Sequence, residues 1–482
     1  MTAFKMRLLL PLYGLVLFSG LLSCAGRAGW TSLFNGKNLD GWKASENPAS
    51  FWVENGELIC RGPRAHLFYM GGSKPLDIKN FEFNAEVMTR PGANSGIYFH
   101  TRFEEEGWPS QGYEVQVNNS HKGEGDYREL KKTASLYGMR NLYKALARDN
   151  EWFGIRISVR GKRIQVSLNG TPVVDYTEPE NLGSGEPGRC LSSGTFALQC
   201  HDPGSEVHYR NIRVKILPED PGDPGYAAAA DSIEEEIVRL GMENFPVLDL
   251  HVHAKGGLTL EKAQENSRRT GIFYGIAANC GLGFPIADDR GVEEYLKTMQ
   301  GIPAFTGMQA EGREWTGLFS REMIGRFDYV FTDAMTFTDD QGRRMRLWIP
   351  EEVTIGDRQA FMDMLVNRIV SIMENEPVDI YVNPTFLPDT IAAEYDALWT
   401  PERMRRVIDA AVRNQVAVEI KARYRIPSEA FIRRAKEAGV KFTFGTNNAD
   451  SDLGRLEYCL EMGRKCGLTW QDMWVPQGKE RL

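Results

Sequence analysis

The hydrophobic period of the sequence changes on either side of one short segment, Leu217-Pro-Glu-Asp-Pro-Gly-Asp-Pro-Gly-Tyr226, which runs into four alanines. Proline fixes φ and has no amide N–H, so three prolines in seven residues neither propagate a helix nor complete a sheet ladder. Residues 218–230 therefore read as a linker between two units. Upstream, from Trp30 to Leu217, short strand-like runs follow one another: Glu57–Cys60, Phe81–Met88, Gly96–Phe103, Gly112–Val117, Trp152–Val159, Arg163–Leu168 and His208–Ile216. Turn signals such as Asn35-Gly36, Glu54-Asn55-Gly56 and Asn169-Gly170 separate them, the pattern of a β-sandwich. Downstream, Asp231 to Leu240 has helical spacing, and apolar strands then alternate with amphipathic helices such as Arg358–Glu374, Pro401–Asn414 and Ser428–Ala438. Seven strand candidates, 247–253, 273–279, 304–311, 329–333, 380–383, 416–420 and 441–444, predict a parallel sheet closed or nearly closed into a barrel over residues 231–482.

With 482 residues, 42% of them hydrophobic, each unit can bury its own core. A net charge of −8 argues against nucleic acid as a partner, because phosphate binding needs a basic surface. At the N-terminus Lys5 and Arg7 precede an apolar run, Leu8 to Leu22. That run is short for a membrane span and suits a signal peptide, residues 1–23. It ends in Leu21-Leu22-Ser23-Cys24, which resembles the bacterial lipobox, so Cys24 is the expected lipidation site and a lipid the only membrane anchor. Ala25 after it, rather than Asp, fits the periplasmic side of the outer membrane in a bacterial cell envelope. The six remaining cysteines, 60, 190, 200, 280, 459 and 466, form no CxxC pair or zinc-ribbon spacing. Cys190 and Cys200 are the nearest candidates for pairing in the first half, but a chain of this size needs no disulfide framework.

Strand alternation collects the chemistry of the first half on one face. Asn94, Gly96, Tyr98, His100 and Arg102 alternate with Ile97, Phe99 and Thr101; Glu114, Gln116 and Asn118 alternate with Tyr113, Val115 and Val117; Gln199 and His201 alternate with Leu198 and Cys200. A solvated outer face would carry lysine and threonine, whereas amide, imidazole, guanidinium and carboxylate together suit a sugar. Several segments in order, Ser32-Leu-Phe-Asn-Gly-Lys-Asn-Leu-Asp-Gly-Trp42, Asn94-Ser-Gly96, Tyr113-Glu-Val-Gln116, Ser135-Leu-Tyr-Gly138, Glu151-Trp152, Gln199-Cys-His201 and Tyr209-Arg-Asn-Ile212, resemble the 3-keto-disaccharide hydrolase domain family over residues 30–217. The resemblance implies a concanavalin-like jelly roll acting on glycosides whose C3 hydroxyl has been oxidised to a ketone. Such a ketone acidifies the C2 proton, so the bond to the glycosidic oxygen at C1 breaks by elimination, and water then adds to the enone. That route needs a base, a donor to the enolate and an acid for the leaving group. The expected catalytic residues are Glu114, His201 and His100, with Asn94, Tyr98, Arg102, Gln116 and Gln199 binding substrate and no cofactor required.

In the second half both histidines lie in Asp249-Leu-His-Val-His253, where an i, i+2 pair at a strand end points one way and suits metal ligation. The Asp-x-His-x-His start and the seven strands resemble the polymerase-and-histidinol-phosphatase (PHP) metal hydrolases over residues 245–465, which implies an α/β PHP-like (β/α)7 barrel. His251 and His253 match the first motif of that family, and Glu311 its bridging carboxylate. Asn279-Cys280, Asn383 and Gly445-Thr-Asn-Asn-Ala449 depart from it where Asp and His are expected. The expectation is at most one divalent metal, on His251, His253 and Glu311, or else a degenerate barrel with only a polar pocket, and in neither case a multinuclear phosphoesterase centre. Asp333, Asn383, Glu419 and Asn447 would form a second, carbohydrate-binding pocket, and Arg313, Arg343, Arg344 and Arg346 are further candidates for an anionic or sugar ligand. Three readings stay open: 3-keto-glycoside cleavage on the sandwich, metal-dependent hydrolysis in the barrel with the sandwich binding carbohydrate, or a non-catalytic glycan-binding lipoprotein.

Overall fold

The computed structural model describes residues 29–72, 76–123, 125–179, 189–219, 232–338 and 342–477. The expected signal peptide, the expected lipidation site Cys24 and the expected linker from residue 220 onward lie outside them. The first half is a sandwich of two antiparallel sheets. The larger sheet follows the order β11 (Thr171–Thr177), β10 (Arg163–Leu168), β9 (Phe153–Arg160), β6 (Phe81–Thr89), β13 (Val207–Ile216), β4 (Glu57–Cys60), β3 (Phe51–Glu54), with β1 (Thr31–Ser32) paired to β13. The smaller runs β2 (Trp42–Ala44), β5 (Ala65–Tyr69), β12 (Thr195–Cys200), β7 (Asn94–Thr101), β8 (Tyr113–Asn118).

β9 shows why the larger sheet has one wet face. Phe153, Ile155, Ile157 and Val159 are buried, while Arg156 and Arg160 point outward and pair with Glu82. β7 behaves differently, with every residue buried although Asn94, Tyr98 and His100 are polar or amphipathic. Ile97 and Phe99 join the core between the sheets, so the other face of β7 must be roofed by loops. That roof marks the place where polar groups are kept from bulk water.

The second half opens with α1 (Ser232–Met242) and closes into a barrel of seven parallel strands: β14 (Leu248–Val252), β15 (Phe273–Gly281), β16 (Phe305–Glu311), β17 (Tyr329–Thr332), β20 (Ile380–Tyr381), β21 (Ala417–Lys421) and β22 (Phe442–Gly445). A hairpin, β18 (Thr336–Thr338) and β19 (Arg344–Arg346), interrupts the alternation. All seven strands expected from the sequence are present. Helices start where caps dictate: Thr259 accepts from Lys262 N before α2 (Leu260–Thr270), and Gly271 ends it at φ +83°.

The halves share one core. Leu142 and Tyr143 of the sandwich pack in the same cluster as Leu248, Phe273 and Phe305 from the strand starts of the barrel. The Tyr143 ring lies 6.0 Å from that of Phe273. Beside it Lys144 Nζ donates to Asp328 at 2.8 Å and to Ala304 O at 3.1 Å, and Arg140 Nε donates to Arg269 O at 2.8 Å. Residues 139–147 thus stopper the N-terminal end of the barrel, and the polar strand ends open on the opposite side.

Candidate active site

The site on the sandwich is built across four neighbouring strands of the smaller sheet. His66 on β5 pairs in register with Gln199 on β12, and Tyr98 on β7 pairs with Glu114 on β8, which sets these side chains on the roofed face. Tyr98 Oη donates to Glu114 Oε2 at 2.8 Å, and Gln199 Nε2 donates to Tyr98 Oη at 3.1 Å and to Glu114 Oε1 at 3.3 Å. Gly96 makes room for the carboxylate, because a Cβ there would lie 2.2 Å from Glu114 Oε1. One strand position along, Gln116 Nε2 donates to Asn94 Oδ1 at 3.1 Å.

Burial pushes the Glu114 carboxyl above its usual range and Glu129 adds to this, while the Tyr98 hydrogen bond and the charges of Arg189 and His201 pull it back. His66 is fully buried, and neither ring nitrogen has a partner. Burial lowers its pKa to about 4, so it stands as a neutral imidazole. Its ring centroid is 5.4 Å from Tyr98 and 5.5 Å from Trp108, whose ring is 5.5 Å from His201. Trp108 is 46% exposed, so the site has an aromatic edge open to solvent. His201 Nδ1 donates to Asp202 at 2.8 Å, since a carboxylate only accepts. Burial pushes the Asp202 carboxyl up, but the bonds from Ser205, His201 and Gly204 outweigh it and hold it low.

The roof supplies a second carboxylate. Glu129 Oε2 accepts from Tyr127 at 2.7 Å and Tyr137 at 3.3 Å, and Lys131 Nζ lies 3.8 Å from Glu129 Oε1. Lys131 sits over the Tyr137 ring at 4.4 Å and Arg189 at 5.0 Å. Glu114 thus has two cations and a second acid facing it.

The structure gathers Glu114, Tyr98, Gln199, Asn94, Gln116 and His201 as the alternation predicts. It removes two expected members. The β12–β7 pairing shifts between Thr195 and Phe196, so Thr195 opposes Thr101 and Phe196 opposes Phe99, leaving His100 as the extra residue of a bulge at φ +57°. The bulge turns His100 to the other side, where its Nε2 donates to Lys79 O at 2.9 Å and its ring packs 5.6 Å from Phe81 and Phe99. Arg102, past the bulge, lies 3.7 Å from Asp77 and is exposed. His66, Glu129, Lys131 and Arg189 were missed. Only His66 carried a signal, the alternation of Ala65-His-Leu-Phe-Tyr69.

At the barrel mouth, His251 Nδ1 is 2.6 Å from Glu419 Oε1 and 2.9 Å from Lys421 Nζ, all three groups being buried. Burial and the Lys421 charge lower His251 to about 4, and Lys421 with His251 holds Glu419 at about 2 against the upward push of burial. His253 Nδ1 donates to Ala277 O at 2.9 Å. Glu311 lies at the same end of the barrel but is committed elsewhere: Oε1 accepts from Asn279 at 3.0 Å and Gln309 at 2.9 Å. Burial and the nearby Asp333 raise it to about 8. Asp333 accepts from Asn383 Nδ2 at 2.8 Å and Glu419 from Asn383 N at 2.9 Å, whereas Asn447 Oδ1 accepts from Lys255 at 2.9 Å, so three of the expected second-pocket residues are bonded to one another and Asn447 is engaged separately.

His251 Nε2 and His253 Nε2 are buried without partners, as two metal ligands would be. Yet no group of three His, Cys, Asp or Glu side chains able to hold an ion forms among the described residues, and the Lys421 ammonium stands against His251. The residues present do not fit the metal centre expected on His251, His253 and Glu311. Of the arginines, Arg313 is bound to Glu376, Thr332 and Asp333 O, and Arg346 to Glu352.

No curated protein matches the chain. Among solved structures, a protein provisionally named a glycosyl hydrolase from Parabacteroides distasonis shares 22% identity at a TM-score of 0.35, covering 39% of this chain and 94% of its own. The carbohydrate-binding module CBM66 of Bacillus subtilis shares 14% at 0.23, covering 39% and 95%. Histidinol phosphate phosphatase of Lactococcus lactis shares 12% at 0.36, covering 48% and 100%. Residues 29–215, the sandwich, are matched by the family model of the 3-keto-alpha-glucoside-1,2-lyase-like domain.

Proposed function

We propose that the sandwich cleaves the glycosidic bond of 3-keto-glycosides by eliminating the C1 oxygen. The observation that carries this reading is Glu114: a carboxylate raised by burial, bonded by Tyr98 and Gln199 and faced by cations, inside a domain matched to that family. In this mechanism Glu114 takes the C2 proton. The electron pair passes through the C2–C3 bond onto the ketone oxygen, where Arg189 and Lys131 offset the enolate charge. The enolate then collapses as the bond from C1 to the glycosidic oxygen breaks. His201, oriented by Asp202, delivers a proton from Nε2 to the leaving oxygen. The immediate products are the free aglycone alcohol and a 2-hydroxy enone, and addition of water across the enone completes net hydrolysis. Neutral His66 offers an N–H and a lone pair to the sugar beside Trp108, whose face suits a pyranose ring.

The test is release of 4-nitrophenol from 4-nitrophenyl 3-keto-α-glucoside, with the unoxidised glucoside as control. Glu114→Gln is expected to lose 10²–10⁴-fold in about the range of a removed general base, with the parent glucoside inert throughout. Unchanged turnover in Glu114→Gln, or equal turnover of the unoxidised sugar, would sink the reading. We further propose that the mature chain is anchored through a lipid on Cys24 at the periplasmic side of the outer membrane, in keeping with Leu21-Leu22-Ser23-Cys24. Labelled palmitate should be incorporated by the wild-type chain and not by Cys24→Ser.

A further inference from the structure

The two cations facing Glu114 are tied down from the other half of the chain. α1 ends at Met242, and the backbone leaves it through Asn244 at φ +62°. Met242 Sδ accepts from Arg189 Nη1 at 3.2 Å, the same nitrogen that donates to Tyr137 O at 3.0 Å. Asn244 Oδ1 accepts from Lys131 Nζ at 2.5 Å, and its Nδ2 donates to Arg128 O at 2.8 Å. The approach is close: Gly138 sits at φ +80°, and Gly241 meets its backbone. A Cβ on Gly138 would lie 2.6 Å from Met242 Sδ, and one on Gly241 would lie 2.5 Å from Gly138 O. Lys131 is 1% exposed and Asn244 7%, so water has little access to replace the amide.

A lysine has a flexible four-carbon stem, and a charge that must oppose an enolate works best when its position is fixed before reaction. Glu129 alone holds the Lys131 ammonium loosely, at 3.8 Å; the short contact comes from Asn244. We infer that Asn244, on the turn after α1, is a positioning residue for the sandwich site, fixing Lys131 so that the barrel half completes the charge pattern around Glu114. This rests on the proposed role of Glu114. The barrel is then a structural part of the sandwich's chemistry, whatever its own mouth binds.

Asn244→Gly isolates the side chain, because glycine keeps the positive φ without strain. The groups facing Glu114 are Tyr98, Arg189, Lys131, His201 and Glu129, and Glu129 is itself faced by Tyr127 and Tyr137. Releasing Lys131 leaves the negative charge of Glu129 less offset, so the Glu114 carboxyl must titrate at higher pH. Two readouts on the full chain report this. The first is the rising limb of the pH profile with 4-nitrophenyl 3-keto-α-glucoside. The second, needing no substrate, is the Glu114 carboxyl titration seen by difference infrared spectroscopy against Glu114→Gln. The expected result is an upward shift of both midpoints in Asn244→Gly, with kcat down about tenfold and KM little changed. Lys131→Met should reproduce the shift, and the double variant should add nothing, since coupled residues are not additive. An unmoved infrared midpoint in Asn244→Gly, or additive shifts in the double variant, overturns the inference. Full turnover by Glu114→Gln would instead remove the functional reading, and the infrared arm would still decide the role of Asn244.

Discussion

At the scale of single residues, Glu114 is defined as much by what is missing beside it as by its partners. Gly96 leaves the space that Oε1 occupies, so Gly96→Ala pushes the carboxylate off Tyr98 and Gln199. Turnover of the 3-keto-glucoside is expected to fall by about two orders of magnitude, in line with a misplaced reacting group, while circular dichroism stays that of the wild-type chain. Loss of folded signal in Gly96→Ala would place the glycine in the core instead. Strand alternation made Glu114, Tyr98, Gln199, Asn94 and Gln116 legible in the sequence, because a period of two needs only a regular strand. Arg189 and Lys131 were not legible. They sit outside regular strands, where no period relates a residue to its neighbours in space, and part of what holds them, Met242 and Asn244, lies more than fifty residues downstream.

At the scale of elements, the bulge in β7 is the instructive case. A single extra residue reverses every later side chain, so the alternation that placed Tyr98 correctly failed two residues on at His100. His100 now serves the fold: Nε2 donates to Lys79 O, and Nδ1 accepts from Ser192 N at 3.3 Å. His100→Asn, which tolerates positive φ, is expected to keep turnover and to lose stability by about 1–3 kcal/mol for the bonds and packing removed. The pH dependence has a definite sign. Burial lowers His100 to about 4 in the folded chain from the ordinary 6.5, so between those values the unfolded state binds the extra proton. Stability due to this group is complete above about pH 6.5 and drains away as pH falls toward 4. Denaturant midpoints measured across that window should fall less steeply in His100→Asn than in the wild-type chain; an equal slope would contradict the assignment. The barrel strands were easier to read, since parallel strands buried on both faces leave continuous apolar runs, and all seven appear where expected.

For the whole molecule, the stopper formed by residues 139–147 packs against the barrel in one shared cluster, which predicts that the two units unfold together. Calorimetry on the full chain is expected to show a single transition, and Lys144→Met to shift it down without splitting it. Two separated transitions would show that the shared cluster around Leu142, Tyr143 and Phe273 does not couple the halves. The sequence could announce the two units but not their union, because the stopper is an irregular loop whose apolar residues show no period.

That union separates chemical continuity from physical continuity. A protease site engineered into the segment between Leu217 and Ser232 would let the backbone be severed after folding. The fragments would stay clamped by the Tyr143 stopper, Lys144 on Asp328 and Asn244 on Lys131. The nicked protein should elute as one particle with its pocket intact, whereas the same fragments made apart would each expose the apolar surface that the other covers. The peptide link, once its two ends have met, becomes dispensable.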